Sequence, residues 1–245
     1  MKICIADFCI DIGPTYEHLR ELCKPYRVPD EMPADLKIEI SDADLAHELQ
    51  LAKKEGVVSA LTSFAKSMAI YRKICAYALE HDAFLMHCAV IEYEGRGYAF
   101  SAPSGTGKTT HIRLWQEVFG ADRVTVVNGD KPILRLIDGV FYAYGTPWCG
   151  KEGYNTNTRV PLCGLCFVTR GAENRIRRIS VEEAIPHLFS QIMVTDSANL
   201  ARQMELAAAL LDKVPAYLLT CNMEPEAACV AYAGMRNAKE DEAHA

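Results

Sequence analysis

Residues 101–115 read SAPSGTGKTTHIRLW, a run of small residues followed by a helical pattern with a lysine in its first turn. A loop that holds phosphate needs small residues, so that successive backbone N–H groups can converge on oxygens. It also needs a helix N-terminus behind it, whose dipole favours negative charge. Ser104, Gly105, Thr106 and Gly107 meet the first need, and a helix predicted over 108–119 meets the second. In this reading Lys108 reaches the β- and γ-phosphates as a point charge, Thr109 places its hydroxyl on Mg²⁺, and Thr110 completes the pocket. Ala102 stands where the common G-x-x-x-x-G-K-[ST] pattern opens with glycine, while GTGKTT is intact. The competing reading is a glycine-rich turn that caps an ordinary helix.

The sequence around the loop fits the strand–loop–helix context. Residues 84–93, FLMHCAVIEY, then the turn EGRG, then GYAFSA predict a hairpin whose second strand delivers the chain into the loop. In the helix that follows, Ile112, Trp115 and Phe119 share a face, a core stripe rather than a ligand box. VTVVN, PILRLI and VFYAYG predict three more strands, the last two joined by the hairpin signal Asp138-Gly139. LCGLCFVTR and NRIRRIS predict a further pair. Helix, the strand VPAYLLTC and helix again precede a charged tail.

Ahead of this region, residues 1–40 mix apolar runs with Pro25, Pro29 and Pro33, which reads as strands and turns. Ser41 with Asp44 predicts a capped helix running to Gly56. Val58, Leu61, Phe64, Met68, Tyr71, Ile74, Tyr77 and Ala78 then carry helical spacing. The expected division is an N-terminal region over 1–82, a loop-bearing domain over 83–237 and a frayed tail over 238–245.

Half of the 245 residues are hydrophobic, enough for a substantial core, and the net charge of −6 argues against a nucleic-acid surface. Asp7 and Asp11 interrupt the opening apolar run before a signal segment forms, and no stretch is apolar enough to span a membrane. A cytoplasmic protein is expected. The ten cysteines are scattered in apolar surroundings and read as reduced thiols. Cys163 and Cys166 have zinc-ribbon spacing but lack a matching second pair.

A kinase or ATPase also needs a carboxylate to hold Mg²⁺ or take a proton. Asp130 follows the strand VTVVN and Gly129, which suits that role or a simple turn. His87 lies on the strand before the hairpin turn, where acid–base work, phosphate contact or a satisfied core histidine are all open. Residues 145–161, GTPWCGKEGYNTNTRVP, read as a loop too polar for the core. Within it Lys151 and Arg159 either clamp phosphate or substrate or are solvated, and Trp148 either stacks on a ligand or plugs the core edge.

The order of His87, hairpin, APSGTGKTT, helix and a strand ending in Asp130 resembles the HPr kinase/phosphorylase family, over roughly residues 84–180. SGTGKTT also resembles ATP-dependent phosphoenolpyruvate carboxykinase, which shares this loop type. The resemblance implies an α/β fold: a P-loop kinase domain with a mixed, partly antiparallel sheet, plus a small N-terminal α+β region. His87, Lys108, Thr109 and Asp130 land on positions the family uses. By the resemblance Asp130 activates a serine hydroxyl of a protein substrate, and His87 lies beside the transferred phosphate. Asp130 is followed by Lys131, where the family has a second acid. Small bacterial relatives carry a segment similar to Thr146, Pro147, Trp148 and Gly150, which lends that loop a nucleotide or substrate role.

The expected function is an ATP- and Mg²⁺-dependent phosphotransferase to a hydroxyl, Ser or Thr of a protein or peptide, with residues 1–82 selecting the acceptor. Two alternatives stand beside it: a metabolite kinase or carboxykinase-like enzyme acting on free serine or oxaloacetate, and a nucleotide-binding regulatory module with little transfer. Neither nucleic acid nor membrane is an expected partner, and the oligomeric state is open, a homo-oligomer included.

Overall fold

Two four-residue strands open the chain. The computed structural model describes residues 1–13, 15–54, 62–192 and 199–236. In it β1 (Lys2–Ile5) and β2 (Phe8–Asp11) pair antiparallel, and β3 (Leu36–Lys37) adds parallel to β2. Ala6 and Asp7 between them both have positive φ, 53° and 64°, the left-handed pair that a two-residue hairpin turn demands. A short helix, α1 (Glu17–Leu22), lies where the sequence predicted only strands and turns; it places Leu19 in the core.

Helix α2 (Asp42–Lys54) starts at the expected cap: Asp44 N–H donates to Ser41 Oγ at 3.2 Å, and Ser41 N–H donates to Asp44 Oδ2 at 2.8 Å. Gly56, Val58 and Leu61 lie outside the described residues, as does the tail over 238–245. In α3 (Thr62–Leu79) the buried stripe is Ala65, Ala69, Ile70, Tyr71, Ile74, Cys75 and Ala78, while Phe64 is 48% exposed. Alanines alternate there with Ile70, Tyr71 and Ile74, which carry the helix's contacts to the N-terminal core.

Nine strands form the main sheet. The apolar run ahead of the loop breaks into β4 (Ala83–Leu85) and β5 (Ala89–Tyr93), and β6 (Arg96–Ser101) returns through a turn with positive φ at Glu94 and Gly95. After α4 (Lys108–Phe119) come β7 (Val124–Asn128), β8 (Ile133–Ile137) and β9 (Val140–Tyr144). Then follow β10 (Arg159–Arg170), β11 (Arg175–Arg178), α5 (Val181–Phe189), α6 (Leu200–Lys213), β12 (Ala216–Cys221) and α7 (Glu226–Met235). The order is β4-β8-β9-β10-β6-β5-β7, with β12 also on β10 and β11 on β12. Within this sheet the described parallel pairings are β10–β6 and β10–β12, and the others are antiparallel. The sheet is therefore mixed and partly antiparallel.

Both faces of its centre are covered, which is why β10 reads as a nearly continuous apolar run. Leu162, Leu165 and Phe167 pack with Leu188 of α5 and Leu206 and Leu210 of α6. Cys166 and Val168 pack on the other side with Ile112 and Trp115 of α4 and Ala231 of α7. A third cluster joins Ile3, Ile5, Phe8 and Ile10 to Tyr71 and Ile74, and to Ile133, Tyr144 and Trp148, so one core runs across the expected boundary at 82.

That core corrects the reading of residues 145–161. Thr146 is fully buried, Cys149 is buried, and Trp148 is 6% exposed. The Trp148 indole stacks on Tyr71 at 4.2 Å between ring centroids and donates Nε1–H to Ser67 Oγ at 2.8 Å. It plugs the core edge. Arg159 is the first residue of β10: it donates to Asp7 Oδ2 at 3.0 Å and Tyr144 OH at 3.1 Å, with its guanidinium over the Tyr142 ring. It holds the N-terminal hairpin.

All ten cysteines are free thiols, seven of them buried. Among the described residues no helix is long and apolar enough to cross a membrane. Trp148→Ala is expected to cost about 3–5 kcal/mol, as large core truncations do. Urea unfolding checks this, and a loss below about 1 kcal/mol would show that the stack on Tyr71 does not hold the core together.

Candidate functional site

Strand β6 ends at Ser101, whose Oγ donates to the His87 carbonyl at 3.1 Å, so the strand that feeds the loop is tied to the break between β4 and β5. The loop then uses its glycines: Gly105 has φ +77° and Gly107 φ +127°, both strained for a residue with a side chain. Gly107 is also the N-cap of α4 and offers no side chain to cover the helix's first N–H groups. Thr109 and Thr110 stand in that first turn, half-buried.

Lys108 is 8% exposed and donates Nζ–H to the Ala102 carbonyl at 2.7 Å, lying back along the loop. Burial lowers its pKa, and the nearby charge of Asp130 opposes the drop. Arg170, the last residue of β10, holds the loop from the other side. Its Nε donates to Thr106 O at 3.0 Å, and its guanidinium also bonds Gly105 O. In a trans peptide the N–H points opposite to the C=O, so pinning Thr106 O outward turns the Gly107 N–H the other way. Sequence reasoning missed Arg170, because nothing local in FVTRG marks it.

The second half of the site faces Lys108. His87 is not on a strand, as the sequence predicted; it lies in the break where the chain leaves the β4–β8 pair for the β5–β6 pair. Its backbone N–H donates to Gln191 O at 2.8 Å, its Nδ1 meets Gln191 Oε1 at 3.0 Å, and its Nε2 meets Asp130 Oδ1 at 3.0 Å. The other Asp130 oxygen takes the Lys131 ammonium. Burial works to raise the Asp130 pKa, but the His87 hydrogen bond and the Lys131 charge prevail and hold it well below the usual carboxylate range.

Asn128 fixes the backbone of this acid. Its Oδ1 accepts from Asp130 N at 2.8 Å and Lys131 N at 2.7 Å, while Nδ2 donates to Thr146 O at 3.0 Å. Tyr71 OH and Thr146 Oγ1 both donate to the Lys131 carbonyl, at 2.6 and 2.7 Å. Gly129 is needed for close packing on Tyr154, where an added Cβ would lie 3.2 Å from that residue's Cβ, and Gly150 leaves similar room for Asp130.

The structure thus assembles Ser104, Gly105, Thr106, Gly107 and Lys108 as one loop, with Lys108, Asp130 and His87 near its end. Lys151 is exposed in the turn after Gly150; Trp148 packs in the N-terminal core, and Arg159, itself exposed, bonds Asp7 of the first hairpin. Among the described residues no group of three or more His, Cys, Asp or Glu could hold a metal. Mg²⁺ is commonly bound through one or two carboxylates plus substrate phosphates, so Asp130 and the Thr109 hydroxyl fit an ion that arrives with a nucleotide and would share Asp130 with Lys131. The Cys163–Cys166 pair makes no such centre: Cys163 Sγ donates to Gly97 O and Cys166 is buried.

No family model and no curated protein matches the chain. Among solved structures it is similar to the Hpr(Ser) kinase/phosphatase from Coxiella burnetii at 8% identity and a TM-score of 0.40, over 65% of this chain and 93% of that one.

The depressed Asp130 pKa makes a pH prediction. An acid held below its unfolded value, about 3.9, adds stability above that pH and loses it as pH falls through the folded value. The stability of the wild-type chain relative to Asp130→Asn is therefore expected to shrink between pH 5 and acid, read by urea unfolding. A difference that is flat with pH would place Asp130 outside any ion pair.

Proposed function

We propose that the chain is a phosphotransferase that uses ATP with Mg²⁺ and passes the γ-phosphoryl group to the hydroxyl of a serine or threonine in a protein or peptide. One observation carries the reading: a glycine loop opening a helix brings a buried lysine within electrostatic reach of a hydrogen-bonded His87–Asp130 pair. That is the minimum a hydroxyl kinase needs, a cradle for phosphate charge and an oriented acid–base group at its end.

In this reading the Gly107 N–H and the first-turn amides of α4 bind phosphate oxygens, and Lys108 leaves the Ala102 carbonyl to neutralise charge on the migrating group. The acceptor oxygen forms its bond to the γ-phosphorus as the bond to the bridging β–γ oxygen breaks, and ADP leaves. The acceptor proton passes to Asp130 Oδ1, with His87 Nε2 fixing that oxygen in place. Bound Mg²⁺, held by Thr109 and Asp130, would supply charge neutralisation on the β- and γ-phosphates. Residues 1–82 contribute acceptor selection.

Lys131 favours a second reading. Its ammonium sits on the carboxylate that must accept the proton, which suits a module that binds nucleotide and transfers little.

γ-Labelled ATP and Mg²⁺ incubated with the full chain and a lysate of its own cells separates these. Label on a protein or peptide, absent with Lys108→Ala, is the expected result. Label on a small molecule moves the acceptor to a metabolite, and bound ATP without transfer favours the regulatory module. Lys131→Ala is expected to tighten Mn²⁺ binding to the nucleotide-loaded chain by about tenfold, the effect of removing one nearby like charge. Mn²⁺ titration by paramagnetic resonance reads it, and unchanged affinity would show that Lys131 does not compete at Asp130.

A further inference from the structure

The β1–β2 hairpin sets two cysteines directly opposite each other. Cys4 faces Cys9 in its register, and no other two cysteines stand opposite one another among the described strand pairs. The backbone gives the phase of the ladder. Ile12 N–H donates to Met1 O at 3.1 Å, and hydrogen-bonded pairs recur at every second residue, so Ile3–Ile10 and Ile5–Phe8 are bonded pairs too. Cys4–Cys9 falls between them as a non-hydrogen-bonded pair. The backbone of Cys9 agrees: its N–H donates to Asp35 Oδ2 at 2.7 Å and its carbonyl accepts from Asp35 N at 2.8 Å, so neither is turned toward β1. In pairs of this kind the Cα atoms lie about 4.5 Å apart, with the side chains on one face. A disulfide spans Cα separations of about 4.4–6.8 Å, so the two positions are within its reach.

Side chains alternate between the two faces of a strand. Ile3, Ile5, Phe8 and Ile10 point into the N-terminal core, which leaves Cys4 and Cys9 on the opposite face, where closing a bridge asks no repacking of that core. Both are free thiols. Cys9 is buried and Cys4 half-buried, so Cys4 is the one that a small reagent reaches first. Burial raises the Cys4 pKa, and the nearby Asp7, Cys9 and Asp35 raise it further. The thiolate is the attacking form, so the resting pair is held as thiols and closes slowly.

We propose that Cys4 and Cys9 are a dithiol that closes reversibly to a disulfide across the hairpin when a low-molecular-weight disulfide is in excess. Cys4 Sγ attacks the small disulfide and releases one thiol. Cys9 Sγ then attacks Cys4 Sγ, the Cys4–Cys9 bond forms, and the second thiol leaves. The two cysteines are oxidised, the small disulfide is reduced, and the two cysteine protons leave on the released thiols. The bridge braces the hairpin whose tip, Asp7, takes Tyr144 and Arg159 from the main sheet. Nothing in this step involves the phosphate loop, so it stands or falls apart from the proposed transfer reaction.

To test this, the full chain is equilibrated in mixtures of reduced and oxidised glutathione, alkylated, and cleaved after lysine and arginine. Residues 3–20 then form one peptide that holds Cys4, Cys9 and no other cysteine. The expected product is that peptide lighter by two hydrogens and without an alkyl group, returned to the dialkylated form by excess reduced glutathione. Its equilibrium constant is expected to be at least about tenfold larger in the folded chain than in urea, because the folded hairpin holds the two sulfurs together. In Cys9→Ser, Cys4 should instead stop as a mixed disulfide with glutathione. A constant no larger in the folded chain than in urea overturns the proposal. So does a wild-type chain that stops at the mixed disulfide, or whose peptide stays dialkylated in oxidised glutathione alone.

Discussion

The side-chain amide of Asn128, fully buried at the end of β7, is the interaction on which the site depends. One end of it accepts from the two backbone amides that follow Gly129, and the other donates into the segment at Thr146 and Trp148. Inside a protein such a group is stabilising only when its donors and acceptors are all met, and losing one partner costs more than the bond contributes. The acid Asp130 is therefore set by the sheet on one side and by the N-terminal core on the other, because the segment that meets Asn128 is anchored through Trp148 on Tyr71.

That linkage explains why the N-terminal region and the loop-bearing region share a core. Tyr71 of α3 stacks on Trp148 and also donates to the Lys131 carbonyl, so a helix from the first third of the chain shapes the acid's own turn. Asp7, at the tip of the first hairpin, takes Arg159 and Tyr144 from the strands next to that segment. Packing in one half thus fixes electrostatics in the other. Around the loop the same principle holds: Ser101 ties it to the His87 break and Arg170 turns its carbonyls outward.

Much of this was legible in the sequence. The helix over 108–119, the hairpin at Asp138-Gly139, the reciprocal cap at Ser41 and Asp44, and the loop with Lys108 follow from periodicity and turn chemistry. His87 and Asp130 were picked out by their place beside strands and by the family resemblance, and the structure joins them at 3.0 Å. The run 145–161 reads as surface because it is rich in Gly, Asn and Thr, although its first residues are drawn inward by Asn128 and Tyr71, which settles the open choice for Trp148 in favour of the core edge. Arg170 and Gln191 carried no local signal at all.

By itself, then, the sequence determined what depends on residues a few positions apart: the turns that need left-handed backbone, the amphipathic helices, the strands and the small-residue loop that leaves helix amides open. Only the tertiary structure decided which side of the loop faces the acid, and that Lys131 rests on Asp130. It also decided that the tryptophan of the 145–161 run belongs to the core. The physical reason is range. A φ angle or an i to i+4 contact is fixed within one turn of chain, whereas the partners of the Asn128 Nδ2, the Tyr71 hydroxyl and the Arg170 guanidinium lie 18 to 65 residues away. Their hydrogen bonds exist only once the sheet has brought the partners together.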